Sequence, residues 1–316
     1  MKVALVGAGR QGGRRLQAMC DFGEDEVVTV ADIDGDAAGS LARRAGCPWT
    51  TDWRQALRAE AEAVVICVPP DAHADIAVAA LRAGRHVLCE KPLAMTAAAA
   101  WALVAEAARA ERVLKCGFNY RHHPAIAQAR AWVSEGRLGR VVMLRSRHGT
   151  GGRAQFAQEW RTRLERSGGG ILMDQGVHVL DLFRWFGGAF SEVAGSTATS
   201  YWPIAPVEDN AFAILRGDGL LASLHVSWTQ WKNLFSLEIV GADGSVSVDG
   251  LGGSYGVERA LFRRRSTGAE QEQEVIEFRG ADTSWHDEWR EFKMAVVGSR
   301  EPSGGGRDGA EALTLV

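Results

Sequence analysis

Val3-Ala4-Leu5-Val6-Gly7-Ala8-Gly9-Arg10-Gln11-Gly12 decides how the N-terminal part of this chain folds. An apolar run of strand length passes directly into three glycines, and a helical pattern follows over Arg10–Phe22. The glycines have separate jobs: the first permits a tight turn, the second lets backbone approach a pyrophosphate, and the third lets helix pack on strand. The N–H groups at the start of the helix then face the phosphates. A second apolar run, Val27–Ala31, ends in Asp32, 20 residues after Gly12. A carboxylate there accepts hydrogen bonds from a ribose and repels a 2′-phosphate. The expected cofactor is therefore NAD rather than NADP, bound by Gly7, Gly9, Arg10, Gln11, Gly12 and Asp32. Asp34 reads as the cap of the next helix.

Outward from this turn, strand and helix alternate up to residue 118. Apolar runs at Ala63–Val68, His86–Cys89 and Val113–Cys116 join the first two. Helical stretches at Asp34–Ala45, Trp53–Ala59, Asp71–Ala83 and Thr96–Ala110 lie between them. This spacing predicts a parallel sheet with right-handed crossovers. Pro69 and His73 leave the Ala63–Val68 strand at the sheet edge that would carry the cofactor. His73 reads either as a cofactor neighbour or simply as part of the first helical turn. After residue 118 the pattern changes to a helix (Pro124–Glu135), a strand (Val141–Arg147), a helix (Leu172–Phe186) and alternating strands from about Val193 to Phe278. Asp-Gly and Gly-Asp turns between these strands predict an antiparallel sheet. The expected fold is an α/β Rossmann domain, residues 1–118, and an α+β domain, residues 119–316, closing with a helix at Trp285–Val297. An apolar helical pattern starts at Ala310 and stops at Val316, so the natural chain is expected to be longer.

Composition narrows the class. The 316 residues suffice for two cores, and 46% apolar with 24% charged residues is the balance of a globular protein. The net charge is −3 and the arginines are scattered, which argues against a nucleic-acid partner. No apolar run reaches the roughly 20 residues of a membrane helix, and a strand at Met1 leaves no room for a signal peptide. Cys20, Cys47, Cys67, Cys89 and Cys116 are dispersed without a Cys-x-x-Cys pair. Reduced thiols and a cytoplasmic location are expected.

Two constellations carry chemistry. Only five of 36 basic residues are lysine, and Lys91 stands in Leu88-Cys89-Glu90-Lys91-Pro92, where a parallel strand ends. Arginine stays protonated, whereas a buried lysine can shift its pKa and pass a proton. The second constellation is Asp174, His178 and Asp181, which fall on one side of a helix whose other residues are apolar. Three readings stay open from the residues alone: a histidine acid/base steered by a carboxylate, a divalent-metal site, or a hydrogen-bonded structural cluster.

With the Gly-rich turn, Glu90-Lys91-Pro92 and Asp174-x-Gly176-x-His178-x-x-Asp181 in this order, the chain resembles the Gfo/Idh/MocA oxidoreductase family, which includes glucose–fructose oxidoreductase and inositol dehydrogenase. The likeness covers essentially the whole chain. It implies a second domain with a large, open, mostly antiparallel sheet through which homodimers or homotetramers form. It implies hydride exchange between nicotinamide and a secondary alcohol of a small polyol, sugar, cyclitol or nucleotide sugar, without a metal. Lys91 and Glu90 would then lie by the nicotinamide, with Lys91 also at the reacting hydroxyl, His178 catalytic and Asp174 its partner. Tyr120 and Arg121 match a segment that lines the cleft, while Arg147, His148, Trp160 and Arg161 precede the catalytic helix and are further candidates for substrate contact. Trp228–Asn233 alternates as a strand does. Gly250–Gly256 is a tight loop without an assigned role. Competing functions on the same fold are a retained-NAD glycoside hydrolase or epimerase, and a non-catalytic NAD-dependent regulator.

Overall fold

The computed structural model describes residues 1–266 and 272–316. Two compact units result: Met1–Phe118 with Trp285–Thr314, and Asn119–Ser284 with Leu315–Val316.

The first unit contains β1 (Lys2–Val6), α1 (Arg10–Cys20), β2 (Glu26–Ala31), α2 (Gly35–Ala45), β3 (Trp49–Thr50), α3 (Trp53–Ala56), β4 (Ala63–Ile66), α4 (His73–Arg82), β5 (His86–Cys89), α5 (Ala97–Ala110) and β6 (Leu114–Cys116). The strands form one parallel sheet in the order β3-β2-β1-β4-β5-β6, the doubly wound arrangement. Strand residues such as Val3, Leu5, Val65 and Leu88 are wholly buried because helices cover both faces. Asp34 caps α2 by accepting from the Asp36 and Ala37 N–H groups, and Thr96 caps α5 through Ala99 N–H. The two-residue β3 has too little sequence to show a period.

The chain returns to this unit at its end, which corrects the expected extent of the second domain. In α9 (Ser284–Val297), Trp289 and Phe292 are buried in the first unit's core with Leu5, Leu16 and Leu88. The second C-terminal helix, α10 (Gly306–Leu313), starts four residues before the expected Ala310 and lies against α5 and β6. Side-chain-free Gly309 lets it approach Cys116 and Leu93, where a Cβ would already stand at 3.1 Å.

The second unit contains α6 (Pro124–Ser134), β7 (Val141–Gly149), α7 (Leu164–Ser167), a π-helical turn (Leu172–Gly176) continuing into α8 (Val177–Gly187), and seven further strands. These are β8 (Glu192–Ala198), β9 (Asn210–Gly217), β10 (Leu220–Ser227), β11 (Leu234–Gly241), β12 (Gly244–Asp249), β13 (Glu258–Arg264) and β14 (Gln273–Phe278). The sheet order is β14-β13-β12-β11-β7-β10-β9-β8. Every pair is antiparallel except β7–β10. Helices α6 and α8 cover one face, burying Trp132, Phe183, Leu237 and Val248 in a single core. The other face is open: in β9, Ala211, Ala213 and Leu215 point inward while Phe212 and Ile214 stand exposed. Trp228–Asn233 is not a strand. β10 ends at Ser227, and the run is a connection with Trp228 in the core and Trp231 exposed.

Candidate active site

In the first unit, the turn after β1 has the three-glycine geometry. Gly7 has φ +104° and donates to the Ala31 carbonyl at 2.7 Å. A side chain on Gly7 would meet Cys67 backbone, and one on Gly12 would run into the Gly7 carbonyl. Nothing lies within 4 Å of a Cβ built on Gly9, so the middle of the turn faces open space. Arg10 and Gln11 start α1 beside it, and a groove of about 510 Å³ lined by Ala8, Gly9, Arg10, Arg14 and Arg44 adjoins the turn. Asp32 stands at the end of β2. Its Oδ2 accepts from Ala8 N–H at 2.6 Å and its Oδ1 from Asp34 N–H at 2.9 Å. Two hydrogen bonds leave a carboxylate with further acceptor sites. An open, glycine-lined, cation-rimmed turn with a carboxylate at its edge fits a dinucleotide.

Two expected cofactor contacts have other duties. His73 is fully buried, with Nδ1 2.8 Å from the Pro92 carbonyl and Nε2 2.8 Å from the Val68 carbonyl. Both ring nitrogens face backbone carbonyls, to one of which the neutral ring donates, so the imidazole packs behind the Pro69 and Lys91 turns rather than against a ligand. Burial pushes it below the ordinary histidine range, against the pull of the two carbonyls. Glu90 is 5% exposed and its carboxylate turns inward to Arg15, at 2.8 Å from Nε. Only its backbone remains at the turn. Lys91 itself is half-buried. Burial keeps Cys67 and Cys89, at the ends of the neighbouring strands, as protonated thiols.

In the second unit, His178 is 4% exposed and lies flat on the Tyr120 ring, centroids 3.9 Å apart and planes 8° apart. Tyr120 Oη is 3.2 Å from His148 Nε2. Burial, with the charges of Tyr255, Asp174 and Asp282, pushes the Tyr120 hydroxyl well up, so it remains a neutral phenol. Asp174 sits in the π turn just before α8. Single π turns inside α-helices are frequent at functional sites, and a uniform 100° per residue cannot reveal one. The Arg161 guanidinium stacks 4.5 Å from the Trp160 ring centre, and its Nε is 3.8 Å from Asp174 Oδ2. The structure thus gathers Tyr120, His148 and His178, and sets Trp160 and Arg161 beside Asp174.

Three sequence expectations are corrected here. Arg121, expected as a substrate contact, is 4% exposed and forks onto Asp181 at 2.8 and 2.6 Å, with Trp185 beside it, so its guanidinium is committed to an internal ion pair. The apparent face shared by Asp174, His178 and Asp181 is divided between site and structural pair. Arg147 is exposed and His148 buried, because successive strand residues point to opposite faces. The Gly250–Gly256 loop, which had no assigned role, supplies Tyr255, whose ring centre lies 5.1 Å from that of His148. Glu258 holds this loop by accepting from Gly252 N–H at 3.0 Å, and it also accepts from Ala125 N–H and approaches His123. Glycine density marked a tight loop but not its target. Among the described residues, no group of three metal-ligating side chains is arranged to hold an ion.

A doubly wound nucleotide unit followed by a helix-backed open sheet defines a class: two-domain oxidoreductases on an NAD-binding Rossmann fold. The chain belongs to the Gfo/Idh/MocA oxidoreductase family; residues 1–118 match its NAD-binding Rossmann fold and residues 126–247 its C-terminal domain. It is similar to a levoglucosan dehydrogenase from Pseudarthrobacter phenanthrenivorans, 33% identical over 195 residues, which are 60% of this chain and 50% of that protein. The chain thus spans about half the length of that relative. A 1,5-anhydro-D-fructose reductase from Ensifer adhaerens is 28% identical over 313 residues, 98% of this chain and 89% of the relative. A solved levoglucosan dehydrogenase in complex with NADH superposes with a TM-score of 0.89 at 25% identity, covering 99% of this chain and 94% of that one.

Proposed function

We propose that this chain is an NAD-dependent oxidoreductase acting on a secondary alcohol or ketone of a sugar, cyclitol or nucleotide sugar. The observation that carries this reading is the buried His178, laid on Tyr120 with Asp174 one turn earlier, in a chain that also carries the open glycine turn and Lys91. The chemistry of the relatives supports it: those named above act on anhydrosugars. Bound NAD supplies the hydride acceptor. His178 takes the hydroxyl proton, since an imidazole changes charge near neutral pH. Asp174 orients that imidazole. Lys91 donates a hydrogen bond to the same oxygen and stabilises the negative charge that develops on it. Tyr120, His148, Trp160 and Arg161 line the substrate side. The chain works in the cytoplasm as a homo-oligomer built on the open sheet face.

The test is NADH formation from NAD across inositols, free and anhydro sugars, glycosides and nucleotide sugars. A substrate-dependent rise supports the dehydrogenase. Turnover without net NADH indicates retained-cofactor chemistry, and binding of NAD without any turnover indicates a regulator.

A further inference from the structure

Both neighbours of Lys91 are gripped from inside the first unit. On one side, Glu90 Oε1 lies 2.8 Å from Arg15 Nε and 2.7 Å from its second terminal nitrogen. The remaining Arg15 nitrogen is 2.6 Å from Glu288 Oε2 of α9. Glu288 Oε1 is 3.7 Å from Lys115 Nζ, which in turn donates to the Ser303 carbonyl. Arg15 is 1% exposed, and Glu288 and Lys115 are wholly buried. On the other side, the Pro92 carbonyl meets His73, whose second nitrogen meets the Val68 carbonyl.

Two cations and two carboxylates buried together balance in charge, but such a set is no more stable than apolar packing would be. The arrangement has a geometric consequence that apolar residues would not give. The Arg15 guanidinium donates from Nε to Glu90 and sets its terminal nitrogens against Glu90 and Glu288, two directions that a lysine's single ammonium does not offer. His73, neutral and with one N–H, is wedged between the Val68 and Pro92 carbonyls and donates to one of them, filling the space between the turns after β4 and β5. The residues on either side of Lys91 are thereby fixed by α1, α4 and the returning α9, and the Lys91 side chain leaves a backbone held at both ends.

We propose that Arg15, Glu288 and His73 are positioning residues that set the direction of the Lys91 ammonium. This rests on the reading of Lys91 as the group that binds the reacting oxygen. Misplacing a catalytic group by about 1 Å costs on the order of a hundredfold in rate. In the full chain, Arg15→Lys and His73→Phe should each lower kcat by about tenfold or more, with the Kd for NAD, followed by protein fluorescence, within about twofold of wild type. His73→Gln, which restores one N–H donor, should recover part of the loss. In a Lys91→Ala background the same substitutions should cost little more, because the group they position is gone. The proposal is overturned if kcat is unchanged, if NAD affinity falls in step with kcat, or if the losses add fully to that of Lys91→Ala. Should Arg15→Lys not fold, the His73 variants decide. Should no sugar be turned over, the functional reading fails on its own. The clamp is then judged by acylation of Lys91 with an N-hydroxysuccinimide ester, mapped by mass spectrometry. A severalfold change in His73→Phe supports it, and an unchanged rate overturns it.

Discussion

At the scale of single residues, titratable side chains of similar sequence appearance divide between a buried ion pair and the proposed site. Asp181 and His178 stand three residues apart on one helix. Asp181 is consumed by a forked ion pair with Arg121, while His178 packs on Tyr120. The sequence marked the cluster but could not divide it, because Arg121 lies 60 residues away. Removing one partner of such a buried pair leaves an uncompensated charge and costs about 3–5 kcal/mol. Asp181→Ala should therefore lower the unfolding free energy in denaturant titration by about that amount. An Asp181→Ala protein of unchanged stability would contradict the structural assignment. The lone lysine of the Glu-Lys-Pro run was legible for the opposite reason: its chemistry differs from that of the arginines that surround it in composition.

At the scale of elements, the parallel sheet was readable because β1, β2, β4 and β5 are near-continuous apolar runs separated by helical patterns. The start of α2 was readable too, since Asp34 caps that helix as expected. What escaped was set by distant packing. The return of α9 depends on Trp289 and Phe292 finding the core around Leu16, and the π turn at Leu172–Gly176 leaves no mark in hydrophobic spacing. The open sheet face carries its own consequence. Phe212 and Ile214 on β9 and Leu221 on β10 are 58%, 56% and 49% exposed, and they share one face by register. An exposed apolar patch on a sheet marks an interaction surface. Light scattering coupled to size exclusion should give a multiple of the single-chain mass, and Phe212→Glu with Ile214→Glu should reduce it. A wild-type chain that elutes as a monomer at micromolar concentration would contradict the interface.

At the scale of the whole molecule, buried ionisable groups shape the response to acid. Burial pushes His73, His86 and His225 below the usual imidazole range, with Arg112 adding to the effect at His86 and Arg147 at His225. These rings are neutral in the fold and take up protons more readily when unfolded. Their contribution is complete above about pH 6.5 and is lost as pH falls through the depressed native values. Burial would raise the Asp209 carboxyl, but the Ser200, Trp202 and Tyr201 N–H groups and the Asn210 amide outweigh it and hold it low. Hydrogen-bonding partners likewise outweigh burial at Asp25, Glu258 and Glu291. Those contributions persist above about pH 4 and disappear below it. The thermal midpoint should thus fall in two stages between about pH 7 and pH 3. A midpoint that stays level down to about pH 4 would remove the histidine part of this account.

The central claim is that one reaction uses Lys91 and His178 on a chain that binds NAD independently of both. The most direct measurement is kcat on a turned-over sugar alongside the Kd for NAD, in wild type, Lys91→Ala and His178→Ala. The prediction is a fall in kcat of about 10²–10⁴ in each variant with nearly unchanged NAD binding. Near-wild-type kcat in either variant would contradict it.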